Sequence, residues 1–125
     1  MDISTRAQRR LRILLVEDHG ETRQVLSQLL GYFGHDISVA ECVKTALSLV
    51  QSSDFDAVVS DIGLPDGTGY DLISEAKQHK VFTGIALTGF DMKEDIKRSK
   101  EAGFDFHLTK PVDFHELRTV LGQIA

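Results

Sequence analysis

The chain has a single cysteine, Cys42, no tryptophan and only two prolines, Pro65 and Pro111, among its 125 residues. One thiol cannot close a disulfide within the chain, so a core must hold the fold, and a reduced cysteine suits the cytoplasm. No apolar run approaches the roughly 20 residues that span a bilayer, and no signal-peptide pattern opens the sequence. A cytoplasmic protein without membrane contact is therefore expected. Positive charge is also short. Lys and Arg number 14 against 19 Asp and Glu, a net charge of −5, which argues against nucleic acid, because its phosphates are gripped by clustered basic residues. Internal repeats, low-complexity tracts and a GxxxxGK[ST] phosphate loop are all missing.

What remains is an ordinary globular composition at a length close to that of one domain. Residues 1–10 read as a tail or linker. Its basic residues Arg6, Arg9 and Arg10, with Arg12 beside them, suggest a solvated linker end rather than an anionic contact. Residues 11–125 read as the domain, because short apolar runs there alternate with amphipathic stretches, the βαβ pattern of a parallel sheet covered on both faces. Strands are expected near 12–17, 37–40, 56–60, 84–88 and 105–108. A first helix over Glu21–Phe33 carries Val25, Leu26, Leu29, Leu30 and Phe33 at helical spacing and stops at Gly34. A second near 43–52 buries Ala46, Leu47 and Val50. A third follows Gly67-Thr68-Gly69 with Leu72, Ile73 and Ala76 on one stripe. A fourth spans about 92–101 and stops at Gly103. The last follows Pro111, with Asp113 and Glu116 set as a capping box, and buries Phe114, Leu117, Val120, Leu121 and Ile124. Five strands and five helices in strict alternation give an α/β, doubly wound parallel sheet.

Each polar group of interest closes an apolar run. Glu17-Asp18 follows Ile13-Leu14-Leu15-Val16, Asp61 follows Ala57-Val58-Val59-Ser60, and Thr88 follows Ile85-Ala86-Leu87, while Lys110-Pro111 precedes the last helix. The carboxyl ends of parallel strands line one edge, where ligands bind, so three carboxylates, a threonine and a lysine should converge there. Crowded carboxylates need a counter-charge. A divalent cation such as Mg²⁺ supplies one and bridges phosphoryl oxygens. Asp61 is the candidate nucleophile, since carboxylates form acyl phosphates in covalent phosphoryl transfer. Lys110 is a mobile charge suited to phosphoryl oxygens and to Asp61.

The stretches LLVEDH, VVSDIGLPDGTGYDLI, ALTGF and HLTKPVD, in that order, resemble the receiver domain of two-component response regulators, from about Arg12 to Ala125. The resemblance implies a flavodoxin-like (βα)5 fold with strand order 2-1-3-4-5 and a cis Lys110-Pro111 bond. It further implies Asp61 as phospho-acceptor and Mg²⁺, with Mn²⁺ as a substitute, held by Glu17, Asp18, Asp61 and the backbone carbonyl of Gly63. Thr88 and Lys110 would recognise the phosphoryl group, and Gly89 would let the backbone pass closely beside Thr88. The partner implied is a histidine kinase or histidine phosphotransfer domain, and the output is a changed surface on helix 4, strand 5 and helix 5. Such a domain catalyses its own phosphorylation without turning over a free substrate.

Two positions depart from the commonest pattern. His107 stands where an aromatic switch residue is usual, and either swings inward with Thr88 or stays half-exposed on an edge strand. Gly63 and Phe90, two residues beyond Asp61 and Thr88, offer no polar group to an attacking water, which predicts slow dephosphorylation. HLTKPVD and the basic leader are similar to receivers at the C-terminus of hybrid sensor kinases. Competing readings are a degenerate receiver used only for protein contact, and a haloacid-dehalogenase-like phosphatase, which would need a second acid where Gly63 stands. A flavin or nucleotide binder is opposed by Glu17-Asp18-His19, which would repel phosphate. His19 lacks a second nitrogen ligand, and His35, His79 and His115 read as solvated. Cys42 reads as a small buried hydrophobe, and Lys93, Lys97 and Lys100 read as a solvated helix face.

Overall fold

Alternating side-chain direction sorts the apolar runs onto two faces of one sheet. In β1 (Arg12–Val16), Ile13 and Leu15 join one core cluster while Leu14 and Val16 join the other, and all four are fully buried. The same period of two divides Ala57 and Val59 from Val58 in β3 (Ala57–Asp61), and Ile85 and Leu87 from Ala86 in β6 (Thr83–Thr88). Each run can be apolar throughout because helices cover both faces. The computed structural model describes residues 9–89 and 93–124, apart from the side chains of 93 and 94.

With β2 (Asp36–Ala40) and β7 (Phe106–Thr109), these strands form a five-stranded sheet of order β2-β1-β3-β6-β7, parallel throughout. This is the expected 2-1-3-4-5 order, with β6 and β7 as the fourth and fifth strands of the main sheet. Helices α1 (Gly20–Tyr32) and α5 (Phe114–Ile124) cover one face through Leu26, Leu30, Leu117, Val120 and Leu121. On the other lie α2 (Val43–Ser52) and α3 (Gly69–Ala76), with α4 (Lys93–Ala102) packed against α3. Truncating one of the fully buried leucines to alanine would cost about 2–5 kcal/mol. Gly34, with φ of 95°, and Gly103, with φ of 116°, end α1 and α4 in the left-handed region that favours glycine. The Asp113 carboxylate accepts from the backbone N–H groups of His115 and Glu116 at 2.9 and 3.1 Å, capping α5.

Several sequence expectations need correction or detail. Val25 and Phe114 are 52% and 50% exposed rather than buried, because they form the two rims of a groove between α1 and the start of α5. His35 is half-buried, and its Nδ1 accepts a hydrogen bond from the Leu11 amide. The loop after Asp61 is a small antiparallel ribbon, β4 (Gly63–Leu64) with β5 (Gly67–Thr68), around Pro65-Asp66. Arg9 and Arg10 are exposed but paired with Asp56 and Asp36 of the same chain, and Arg6 lies outside the described residues. On α4, Lys97 and Lys100 are exposed and Lys97 lies 3.9 Å from Glu101, while the Lys93 side chain is outside the described set.

Candidate functional site

Register decides which residues meet. Val16 pairs with Ser60, Asp61 with Leu87 and Thr88 with Thr109. Glu17 therefore stands level with Asp61, Thr88 follows one step along the neighbouring strand, and Lys110 leaves β7 beside Thr88. Two backbone bonds fix these exits: Glu17 N–H to the Ala40 carbonyl at 3.0 Å and Lys110 N–H to the Thr88 carbonyl at 2.6 Å. The Lys110-Pro111 peptide is cis.

Lys110 Nζ donates to Glu17 Oε1 at 2.7 Å and to Asp61 Oδ2 at 3.0 Å. The other Asp61 oxygen accepts from the Ile62 amide at 2.8 Å. Glu17 is fully buried, Asp61 partly buried and Asp18 exposed, yet one oxygen from each lies within 4.8 Å of the others. Burial pushes the Glu17 carboxyl above its usual range; the Lys110 hydrogen bond pulls it back, and nearby Asp61 pushes it up again. Burial also works against the Lys110 charge, but its hydrogen bonds to Glu17 and Asp61 outweigh that and hold its pKa above the ordinary value. One lysine thus balances only part of the negative charge gathered here. Three hard oxygen donors with residual negative charge suit Mg²⁺ or Mn²⁺ rather than a softer metal.

Arg23 carries a role that spacing gave no sign of. Its guanidinium donates to the carbonyls of Glu17 at 3.0 Å and Asp18 at 3.4 Å and meets Glu41 at 3.3 Å, clamping the acidic pair from α1. Asp66 was equally hidden. Its carboxylate accepts from the amides of Val43 and Lys44 at 2.8 and 3.0 Å. Those hydrogen bonds hold its pKa below the usual carboxylate range and tie the loop after Asp61 to the start of α2.

Thr88 is buried, and its Oγ1 lies 3.1 Å from Nε2 of His107, while His107 Nδ1 is buried without a hydrogen-bond partner among the described residues. His107 thus sits on an edge strand and touches Thr88 at once. A cavity of about 190 Å³ is lined by Asp61, Gly63, Thr88 and Gly89 from the sheet edge, and by Tyr70 and Asp95 from α3 and α4. Among the described residues a side chain at Gly89 would meet nothing within 4 Å, so close passage of their backbone does not explain that glycine. Phe90 lies outside the described residues. Cys42 is half-exposed rather than buried, standing at the N-cap of α2 with Sγ 3.3 Å from the Thr45 hydroxyl. His19 stands at the N-cap of α1 and bonds Thr22 at 3.1 Å, and His79 and His115 are exposed.

A parallel sheet of this order with acids, threonine and lysine at its carboxyl edge defines a class of domain by itself. Residues 13–122 match the response regulator receiver domain. The chain is 35% identical over 114 residues to an uncharacterised 14.6 kDa protein of Leptolyngbya boryana, covering 89% of this chain and 87% of that protein. It is 36% identical to the response regulator protein PilR of Pseudomonas aeruginosa, over 90% of this chain and 25% of PilR. It is 31% identical to the sensor histidine kinase RcsC of Salmonella typhi, over 90% of this chain and 12% of RcsC. Among solved structures, a CheY-like receiver domain from Methylobacillus flagellatus superposes with a TM-score of 0.85 at 30% identity, covering 94% of this chain and all of that one. The chain belongs to the response regulator receiver domain family of two-component signalling. It spans a quarter of PilR and about an eighth of RcsC. No helix among the described residues is long and apolar enough to cross a membrane.

Proposed function

We propose that this domain is a phosphorylation switch in which Asp61 accepts a phosphoryl group from a phosphohistidine. The observation that carries the reading is the Lys110 ammonium, shared between buried Glu17 at 2.7 Å and Asp61 at 3.0 Å. An Asp61 carboxylate oxygen attacks phosphorus, the N–P bond of the phosphohistidine breaks, and its electron pair returns to the imidazole, which takes up a proton. Lys110 turns from Asp61 to the incoming phosphoryl oxygens, and Thr88 faces them across the shared cavity. Glu17, Asp18, Asp61 and the Gly63 carbonyl would hold Mg²⁺, which when bound neutralises charge on the transferring group.

The aspartyl phosphate carries close to two negative charges. Thr88 and Lys110 are drawn toward it, and His107, bonded to Thr88, follows. The motion biases the surface of α4, β7 and α5 between two arrangements. The donor is a histidine kinase or a histidine phosphotransfer domain in the cytoplasm. Likeness to RcsC supports a receiver attached to a sensor kinase, and likeness to the 14.6 kDa protein, matched over 87% of its length, supports a stand-alone regulator. With glycine at position 63, hydrolysis of the acyl phosphate is slow.

Intact-mass spectrometry after incubation with acetyl phosphate, with and without Mg²⁺, tests this reading. A labile adduct that needs Mg²⁺ and is absent from Asp61→Asn is expected. A folded wild-type domain that gains no adduct, even from a phosphohistidine donor, would show a receiver used only for contact.

A further inference from the structure

The cavity beside Asp61 has one wall that the switch mechanism does not use. Asp95, in the first turn of α4, lines the same 190 Å³ space as Asp61, Gly63 and Thr88. Tyr70, on α3, lines it too. Its buried ring lies 4.5 Å from the Arg98 guanidinium, and Arg98 is three residues from Asp95 on the same helix face. The aromatic contact therefore holds the Asp95 turn of α4 against the cavity. Gly63 brings no side chain, and a Cβ built there meets nothing within 4 Å, so that side of the space stays open to solvent. The space exceeds the roughly 30 Å³ share of one water several-fold, leaving room for a phosphoryl group and a water together.

From this geometry we infer that Asp95 positions the water that hydrolyses phospho-Asp61, and so sets the lifetime of the signal. The inference rests on the proposed phosphorylation of Asp61. A carboxylate and an acyl phosphate lining one cavity repel each other, which favours a water between them over direct contact. Such a water donates its hydrogens to Asp95 and turns a lone pair toward phosphorus. Its oxygen attacks phosphorus, the bond from phosphorus to the Asp61 oxygen breaks, and the electron pair returns to the Asp61 carboxylate. The two hydrogens of the water leave with the product as dihydrogen phosphate. Asp95 takes the place of the polar side chain that Gly63 lacks, and the baseline stays slow because, among the described lining residues, Asp95 is the one acid besides Asp61.

The test loads wild type, Asp95→Asn and Asp95→Glu with acetyl phosphate and Mg²⁺, removes the donor, and follows adduct decay by intact mass. Expected is a decay slower by at least about tenfold in Asp95→Asn, as for a group that steers the attacking atom. Asp95→Glu should recover part of the rate. Loading rates and thermal midpoints should match wild type, which a merely structural role would not predict. Asp95→Asn decaying at the wild-type rate or faster would overturn the assignment, as would equal slowing in Asn and Glu variants. If wild type takes no adduct, from acetyl phosphate or from a phosphohistidine donor, the Asp61 reading falls and the role of Asp95 with it, whereas normal loading with unchanged decay removes only the latter.

Discussion

The Leu11 amide donates a 3.0 Å hydrogen bond to Nδ1 of His35, which requires that nitrogen to keep its lone pair. Burial holds the His35 pKa below its ordinary 6.5. The unfolded chain therefore takes up a proton near 6.5 while the folded chain still resists it. The stability that His35 contributes is complete above that value and is lost as pH falls from 6.5 through the lower folded pKa. Urea midpoints at pH 7.5, 6.5 and 5.5 should fall in that order for wild type. In His35→Asn, whose side-chain oxygen can accept from the same amide without titrating, the fall should flatten. An equal slope in both would assign the pH response to other groups. The bond joins the entry to β1 to the turn after α1, on the opposite side of the sheet from Asp61, so phosphorylation with acetyl phosphate should be unchanged in the variant.

Helix α3 begins where the sheet edge ends, and Gly69 is the point of contact. A Cβ at Gly69 would sit 2.4 Å from the Asp61 carbonyl oxygen and 3.1 Å from Ile62 Cα, both backbone atoms that cannot turn aside. Gly69→Ala should destabilise the domain by about 1–3 kcal/mol, the range for overpacking, and slow adduct formation by moving Asp61. Gly63→Ala meets nothing within 4 Å and should leave stability within about 0.5 kcal/mol. Chemical denaturation together with adduct mass separates the two, and equal effects would refute the steric account. The GTGYDLI stretch announced a turn and a helix but not which atom the glycine must clear. Apolar runs ending in Glu17, Asp61 and Thr88 were legible because a doubly covered parallel sheet demands unbroken hydrophobic strands. Strand order came from family resemblance, since periodicity says which way a side chain points and not which strand lies alongside. The same limit hid the exposure of Val25 and Phe114. Both sit at helical spacing on apolar stripes, but nothing in the stripe tells whether another element covers its margin. Arg23 and Asp66 act on backbone groups, through contacts to Glu17 and Asp18 and to Val43 and Lys44. Any residue type supplies such groups, so no pairing of side chains in the sequence betrays them.

Taken whole, the domain carries net negative charge but presents an apolar groove next to its most polar site. The groove, about 630 Å³, runs between α1 and the start of α5, with Val25, Leu26, Lys110, Pro111, Val112 and Phe114 among its walls. That lysine also contacts Asp61, so the groove and the proposed acceptor share one side chain. A donor histidine must come within bonding distance of Asp61, and a partner whose helix presents apolar residues to this groove would be aligned by it. Val25 and Phe114 are each about half exposed in the free domain. Covering them fully would contribute on the order of 1 kcal/mol apiece, more if they act as central anchors of the interface. Burying a charge there would instead oppose docking. Val25→Glu combined with Phe114→Glu should therefore slow transfer from a phosphohistidine protein by about tenfold or more. Labelling by acetyl phosphate, which needs no docking, should stay at the wild-type rate, and the thermal midpoint should stay close to wild type because neither side chain is part of the core. If both donors slow together, the substitutions have disturbed Asp61 or Lys110 rather than a docking face. If neither slows, the donor approaches from elsewhere, across the β4–β5 ribbon or the α4 side of the sheet edge.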